Sequence, residues 1–216
     1  MKILNQISNR KIYLNTKDFF DVFSSFFLIL CSLPIFISIM ILVKFSSRGP
    51  IFYSQKRLGK NKKNFNCIKF RTMHPEAEDL LRNLLENNNE IKSEFEKNHK
   101  LKNDPRVTPI GLFLRKTSLD ELPQLFNVLK MEMSLIGPRP IVKQEEIKYG
   151  NSINKVLSVK PGLTGLWQVS GRNNLSYERR VKLDLTYVSD ISFLMDIRIM
   201  IRTFGVLIFP KDRGAY

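Results

Sequence analysis

Between residues 22 and 43 the chain carries no charged side chain. Twenty-two helical residues are about 33 Å long, against a bilayer hydrocarbon core of about 30 Å. The default reading is a membrane helix. Two features count against a plain span. Pro34 stands in the middle, near Ser32 and Ser38, and proline breaks or kinks a helix because it lacks the N–H and its ring crowds the preceding turn. Both flanks are basic: Arg10, Lys11 and Lys17 precede the run, and Lys44, Arg48, Lys56 and Arg57 follow it. Positive charge marks the cytoplasmic side, so a straight span satisfies only one flank. A helix that turns at Pro34 and returns satisfies both. The expectation is a basic segment over 1–21, a re-entrant membrane helix broken at Pro34 over 22–43, and a cytoplasmic domain over 44–216. A secretory leader fits poorly, because Asp18 and Asp21 precede the run and no small-residue cleavage site follows it.

The chain holds 35 basic and 20 acidic residues in 216, a net charge of +15. That balance calls for an anionic partner: nucleic acid, anionic lipid or a phosphorylated substrate. Residues 44–71 contain nine basic residues and no acidic one, and such a block beside a membrane segment binds anionic head groups. Cys31 and Cys67 form neither a disulfide framework nor a zinc spacing, which suits a reducing compartment. His74 and His99 are too few for a histidine metal site.

Residues 51–55 and 64–70 read as two strands joined around Gly59, Lys60 and Asn61. Their aromatics, Phe52, Tyr53, Phe65 and Phe70, alternate with cations. A single-stranded nucleic-acid face has that pattern, but directly after a membrane segment a strand face packed on a core is preferred. Pro75 followed by Glu76, Glu78 and Asp79 starts a helix with an apolar stripe of Leu80, Leu81, Leu84 and Leu85. Asn87, Asn88 and Asn89 end it, and 90–100 forms a second, polar helix. Residues 107–116 read as a short amphipathic helix for a membrane surface.

Asp120 and Glu121 follow that helix. Ser118 with Glu121 three residues on fits a capping box. With Pro123 as the first helical residue instead, the two carboxylates lie just before the helix. A helix N-terminus attracts anions, phosphate included. Plain capping is one reading. The other is catalytic, since a carboxylate attacks phosphorus and its neighbour holds Mg²⁺. Local spacing does not choose between them. Leu125, Phe126, Val128 and Leu129 are expected as the buried face of the next helix.

Gly137, Pro138, Arg139 and Pro140 form a rigid turn that presents Arg139 in a defined direction, suited to bidentate phosphate binding. Residues 160–174 are glycine-rich and carry Trp167 and Arg172. They read either as an anion cradle or as a strand between two turns. Residues 191–209 are strongly apolar with Asp196, Arg198 and Arg202, and core and interfacial readings stay open.

Taken in order, these segments resemble the bacterial sugar transferase family, the monotopic phosphoglycosyl transferases. The motifs run from Phe20 and Asp21 through Pro34, 49–52 (Gly-Pro-Ile-Phe), 69–73 (Lys-Phe-Arg-Thr-Met) and 104–108 (Asp-Pro-Arg-Val-Thr) to the acidic pair within 117–124. They continue with 125–130, 133–140, 160–165 (Lys-Pro-Gly-Leu-Thr-Gly) and 171–173 (Gly-Arg-Asn). The resemblance covers nearly all of 20–216. It implies an α+β fold: a monotopic membrane protein with a small cytoplasmic catalytic domain and amphipathic surface helices. It implies transfer of a sugar-1-phosphate from a UDP-sugar to undecaprenyl phosphate on the cytoplasmic face of the bacterial inner membrane, with release of UMP. By resemblance Asp120 is the nucleophile and holds a covalent phospho-sugar, and Glu121 binds Mg²⁺. Arg139 and Arg172 contact phosphate, Arg71 is grouped with them, Lys69 and Asp184 are further polar site residues, and Pro34 breaks the membrane helix. The residue before that proline, often Ser in the family, is Leu33, which leaves Ser32 to bond the backbone there.

Residues 75–103, 170–177 and 213–216 look most like the subgroup that transfers galactose- or glucose-1-phosphate. About twenty residues precede the apolar run, so the minimal catalytic form is expected. Membrane lipid is a partner, nucleic acid is not, and a homo-oligomer is compatible with the sequence. The rival is a non-enzymatic, membrane-tethered binder of anionic polymer or nucleic acid. It accounts for the charge, but gives the Asp120–Glu121 pair and Arg139 no purpose.

Overall fold

The computed structural model of the chain describes residues 2–98, 101 and 103–208. Residues 213–216, part of the subgroup resemblance, lie outside the described residues. The expected mixture of helix and sheet is present. The elements are α1 (Lys2–Ser46), β1 (Phe52–Leu58), β2 (Asn64–Phe70), α2 (Ala77–Asn87), α3 (Asn89–Asn98), α4 (Pro109–Thr117), α5 (Gln124–Leu129), β3 (Ser134–Ile136), α6 (Glu146–Tyr149), α7 (Ile153–Val156), β4 (Gly162–Thr164), α8 (Tyr177–Asp190) and α9 (Phe193–Ile208). The hairpin β1–β2 and the two insert helices match the sequence reading.

The break at Pro34 does not. α1 is one helix of 45 residues with Pro34 inside it, and it takes in the expected segments 1–21 and 22–43 together. Hydroxyls support the turns around the proline. Ser32 Oγ donates to Leu28 O at 2.5 Å and to Ile29 O at 3.3 Å, and Ser38 Oγ donates to Pro34 O at 2.9 Å. These hydroxyls add side-chain bonds to the turns on either side of the proline, which itself takes the helical donor from the Leu30 carbonyl four residues before it. The stretch from Arg10 to Ser46 is long and apolar enough to cross a membrane.

The described residues form two compact units. One comprises those of Met1–Leu33, Ser54–Ile68 and Pro123–Ala215, the other those of Pro34–Tyr53 and Lys69–Leu122. In the first unit β3 and β4 pair in parallel, Ser134 opposite Gly162 and Ile136 opposite Thr164. Gly137 and Gly162 are required there by close approach: a Cβ on Gly162 would meet the Gly137 nitrogen at 2.0 Å. Around this ladder pack Ile136, Val159, Val169, Tyr187, Val188 and Ile199, with Leu14 of α1 against them. A second cluster joins Leu58, Ile141, Tyr149, Ile153, Val156 and Leu157 to α8.

The first half of α1 is tied to this unit by a polar stripe. Lys17, Asp21 and Ser25, spaced four apart, are all buried. Lys17 Nζ lies 2.8 Å from Asp196 and 3.4 Å from Asp21. Ser134 Oγ donates to Asp21 at 2.5 Å, and Tyr13 and Tyr187 donate to Asp196 at 2.6 and 2.8 Å. Asp196 and Ile199 thus face inward from α9, while Phe193, Leu194, Ile201 and Phe204 are exposed on the same helix. The apolar C-terminal helix is therefore amphipathic.

In the second unit the other half of α1 buries Phe36, Ile39 and Val43 against Phe70 and Leu114. Phe70 takes Phe36 and Phe52 on its ring, with centroids 5.5 and 5.4 Å apart. The rest of α1 shows large apolar side chains to the outside, among them Phe19, Phe23, Phe26, Leu30, Ile37 and Ile41. Dispersal over one long helix of that many exposed rings and branched chains is what a lipid environment calls for.

Candidate active site

α4 is closed by Ser118, which adopts a left-handed conformation (φ 58°) and returns its N–H to Leu114 and Arg115 carbonyls. The capping box is not formed: Ser118 makes no side-chain cap, and Leu119–Glu121 form a tight turn of their own. Pro123 stands at the N-cap of α5, so the register with both carboxylates just ahead of the helix is the one found. Left-handed backbone at a non-glycine residue costs about 1–2 kcal/mol. Here it turns the chain so that Asp120 is buried while Glu121 stays half-exposed. In α5, Leu125 and Val128 are buried, but Phe126 is exposed. Asn127 occupies the inward position instead: its side chain accepts from Ile68 N and donates to Asn66 O, holding α5 to β2.

Lys69, at the end of β2, brings an ammonium to both acids. Its Nζ lies 2.5 Å from Glu121 Oε1 and 3.9 Å from Asp120 Oδ2. Burial pushes the Asp120 carboxyl up to about 6; Lys69 pulls it down, Glu121 pushes it up, and Arg115 pulls it down. Near neutral pH Asp120 is thus a carboxylate, but a destabilised one. Arg115, at the end of α4, is a further cation beside the pair. Its Nε donates to Thr72 Oγ1 at 2.9 Å, which fixes the guanidinium near Asp120. Its position three residues before Ser118, at the helix end that the pair follows, is the available signal.

Arg71 has a different job from the expected one. Its guanidinium is buried and donates to the carbonyls of Val43, Ser47 and Arg48 at 3.2, 2.7 and 3.1 Å. It caps the end of α1. Gly49 (φ +125°) is needed beside it, because a Cβ there would meet Arg71 Nη1 at 2.3 Å.

Among the described residues no group of three or more His, Cys, Asp or Glu comes together. Asp120 and Glu121 are adjacent carboxylates, one buried and one open. Mg²⁺ is commonly held by one or two carboxylates, with water and substrate phosphate completing the shell. The donor set fits that mode and not an all-protein cage.

Arg139, Arg172 and Asp184 belong to the other unit. Arg139 leaves the turn after β3 and lies over the Trp167 ring, 5.7 Å from its centroid. Arg172 has φ 50°, and its N–H donates to Trp167 O at 3.3 Å. Asp184, on α8, is wholly buried and accepts from Tyr149 Oη at 2.9 Å. Burial pushes its carboxyl up to about 7, against the pull of the Tyr149 bond and Arg139.

A family model described as bacterial sugar transferase matches residues 12–210. An uncharacterized sugar transferase of Haemophilus influenzae is 54% identical over 168 residues, 78% of this chain. The undecaprenyl-phosphate galactose phosphotransferase of Salmonella typhimurium is 44% identical over 216 residues, 100% of this chain. The chain spans only 35% and 44% of the length of these two relatives. The exopolysaccharide production protein ExoY of Rhizobium meliloti is 44% identical over 200 residues, 93% of this chain and 88% of that protein. With a half-buried acidic pair beside a lysine, an arginine on the same helix end and matches across nearly its whole length, the chain belongs to the bacterial sugar transferase family.

Proposed function

We propose that the chain is a phosphoglycosyl transferase. It moves a hexose-1-phosphate, galactose or glucose, from a UDP-sugar to undecaprenyl phosphate, at the start of a surface polysaccharide. The observation that carries this is Asp120: a buried carboxylate with a raised pKa, flanked by Lys69, Glu121 and Arg115. The Salmonella relative, an undecaprenyl-phosphate galactose phosphotransferase, supports the acceptor and the galactose.

The Asp120 carboxylate attacks the sugar-bearing phosphorus, and the bond from that phosphorus to UMP breaks. Asp120 then carries the phospho-sugar. An oxygen of undecaprenyl phosphate attacks the same phosphorus, the bond to Asp120 breaks, and undecaprenyl-diphosphate-sugar leaves. Lys69 and Arg115 offset the charge that gathers when an anion attacks an anion, and such positioning and electrostatics supply most of the catalysis of phosphoryl transfer. Glu121 is the residue that would hold Mg²⁺, which when bound supplies further neutralisation of phosphate charge. A covalent stage lets a soluble donor and a lipid acceptor use one site in turn.

The membrane helix is read as re-entrant through a bend at Pro34 that leaves α1 one helix, with both ends at the cytoplasmic face of the inner membrane. Both flanks of the apolar run are basic, Arg10, Lys11 and Lys17 before it and Lys44, Arg48, Lys56 and Arg57 after it, and positive charge favours the cytoplasmic side for both.

Intact mass spectrometry tests the chemistry. The detergent-solubilised chain is mixed with Mg²⁺ and UDP-galactose or UDP-glucose, without lipid. A gain of one phospho-sugar that Asp120→Asn abolishes is expected. UMP release only after undecaprenyl phosphate is added, with no adduct, would replace this reading with direct transfer.

A further inference from the structure

Trp167 is almost fully buried, yet its indole N–H has no hydrogen-bond partner. Two guanidinium groups lie over the ring: Arg139 at 5.7 Å and Arg180 at 5.0 Å from the centroid. Arg180 comes from α8, where its Nε donates to Leu175 O at 3.2 Å. Arg172 joins the same indole residue through its main chain, at Trp167 O. The charge of Arg139 acts on the buried Asp184 carboxyl. Glu145, the nearby acid, is engaged by Val142 N at 3.0 Å and by Arg57 at 3.8 Å.

Two like charges held over one indole ring repel. Burial first, and then the charge of Arg139, pull the Arg180 pKa down. Ring contact offsets part of that repulsion. An anion between the two cations removes it. One Asp184 oxygen adds to the case: it is buried and unpartnered, while its fellow accepts from Tyr149. A carboxyl raised to about 7 is partly protonated at neutral pH, so it is able to donate to an anion as well as accept from a hydroxyl.

We infer that Arg180 is a second phosphate-binding arginine, which acts with Arg139 across Trp167 to hold a phosphate ester of a substrate. This rests on the phosphoglycosyl transferase reading for its substrates, but not for its test. A phosphate reaches the site either as the diphosphate of a UDP donor or as the head group of a prenyl phosphate. Paired guanidinium groups suit either, since each presents planar N–H donors to phosphate oxygens.

Equilibrium binding to the full chain in detergent distinguishes the sources and needs no turnover. UDP and geranyl phosphate are titrated separately by calorimetry into wild type, Arg180→Gln and Arg179→Gln. Arg179 is exposed on the same helix and controls for loss of one charge. The expected result is a loss of about tenfold or more in affinity for one of the two probes in Arg180→Gln. Arg179→Gln stays within about twofold of wild type. Loss for UDP assigns the pair to the donor, and loss for geranyl phosphate assigns it to the acceptor. Unchanged affinity for both overturns the inference. So does an equal loss for both that tracks a lowered unfolding temperature and is not avoided in Arg180→Lys, since that marks a packing role only. Failure of the broader reading looks different: wild type forms no phospho-sugar adduct while the binding difference persists.

Discussion

At the scale of the residue, the reactivity proposed for Asp120 rests on burial against a partial ring of cations. Only its carboxylate form can attack phosphorus, and its pKa is raised to about 6. Adduct formation should therefore be slow below pH 6, rise through an inflection near that value and level off above it. Lys69 is the main group opposing the rise, so Lys69→Met should move the inflection to higher pH as well as slow the reaction. Single-turnover mass spectrometry across pH reads both; an unmoved inflection in Lys69→Met would remove Lys69 from this role. The pair itself was legible because two adjacent acids after a basic helix end are a local pattern. Arg115 and Arg180 were not singled out, because what distinguishes them is a partner far along the chain: Thr72 for one and the Trp167 ring for the other. Arg71 was read as phosphate-binding for the same reason, since its carbonyl partners lie 23 to 28 residues away. Arg71→Gln should therefore lower thermal stability by about 2 kcal/mol, the worth of charged hydrogen bonds, and leave the UDP-sugar KM within about twofold. A large rise in KM with stability intact would return Arg71 to the substrate.

At the scale of the element, α1 joins two different kinds of packing. Its first half is held by Lys17, Asp21 and Ser25, its second by Phe36, Ile39 and Val43. The hairpin β1–β2 and helices α2 and α3 were readable from periodicity and turn residues, which are local. The extent of α1 was not, because Lys17 and Asp21 look like a solvated leader until Asp196 and Ser134 are brought to them. Removing one partner of a buried charge cluster costs about 3–5 kcal/mol. Lys17→Met should thus destabilise the chain strongly in detergent, read by thermal unfolding, because two buried carboxylates lose the lysine between them. A cost near zero would show the cluster to be solvated. The re-entrant reading makes its own demand. Cysteines placed at Asn15 and Ser46, in a chain with Cys31 and Cys67 replaced by Ser, should both react with an impermeant maleimide in inside-out vesicles. Labelling of only one of them would make α1 a span.

At the scale of the whole molecule, two forces join the chain to its membrane and they respond differently to salt. The apolar surface of α1 acts through the hydrophobic effect, to which α9 adds Phe193, Leu194, Ile201 and Phe204. Each fully buried side chain of that size is worth about 1.5–3 kcal/mol, and salt does not screen it. The net charge of +15 acts through basic residues near anionic head groups, about 1 kcal/mol each, within a Debye length that shrinks to about 3 Å at 1 M salt. If α1 anchors the chain and the charge gathers anionic substrates, retention and turnover should separate. Washing membranes with about 1 M NaCl should leave the chain in the pellet, because screening acts on the charge alone. Turnover in the same salt should fall, since both proposed substrates carry phosphate and are drawn to a basic surface, and dilution should restore it. Release by salt without detergent would mean that charge, and not the apolar helix, holds the molecule at the bilayer.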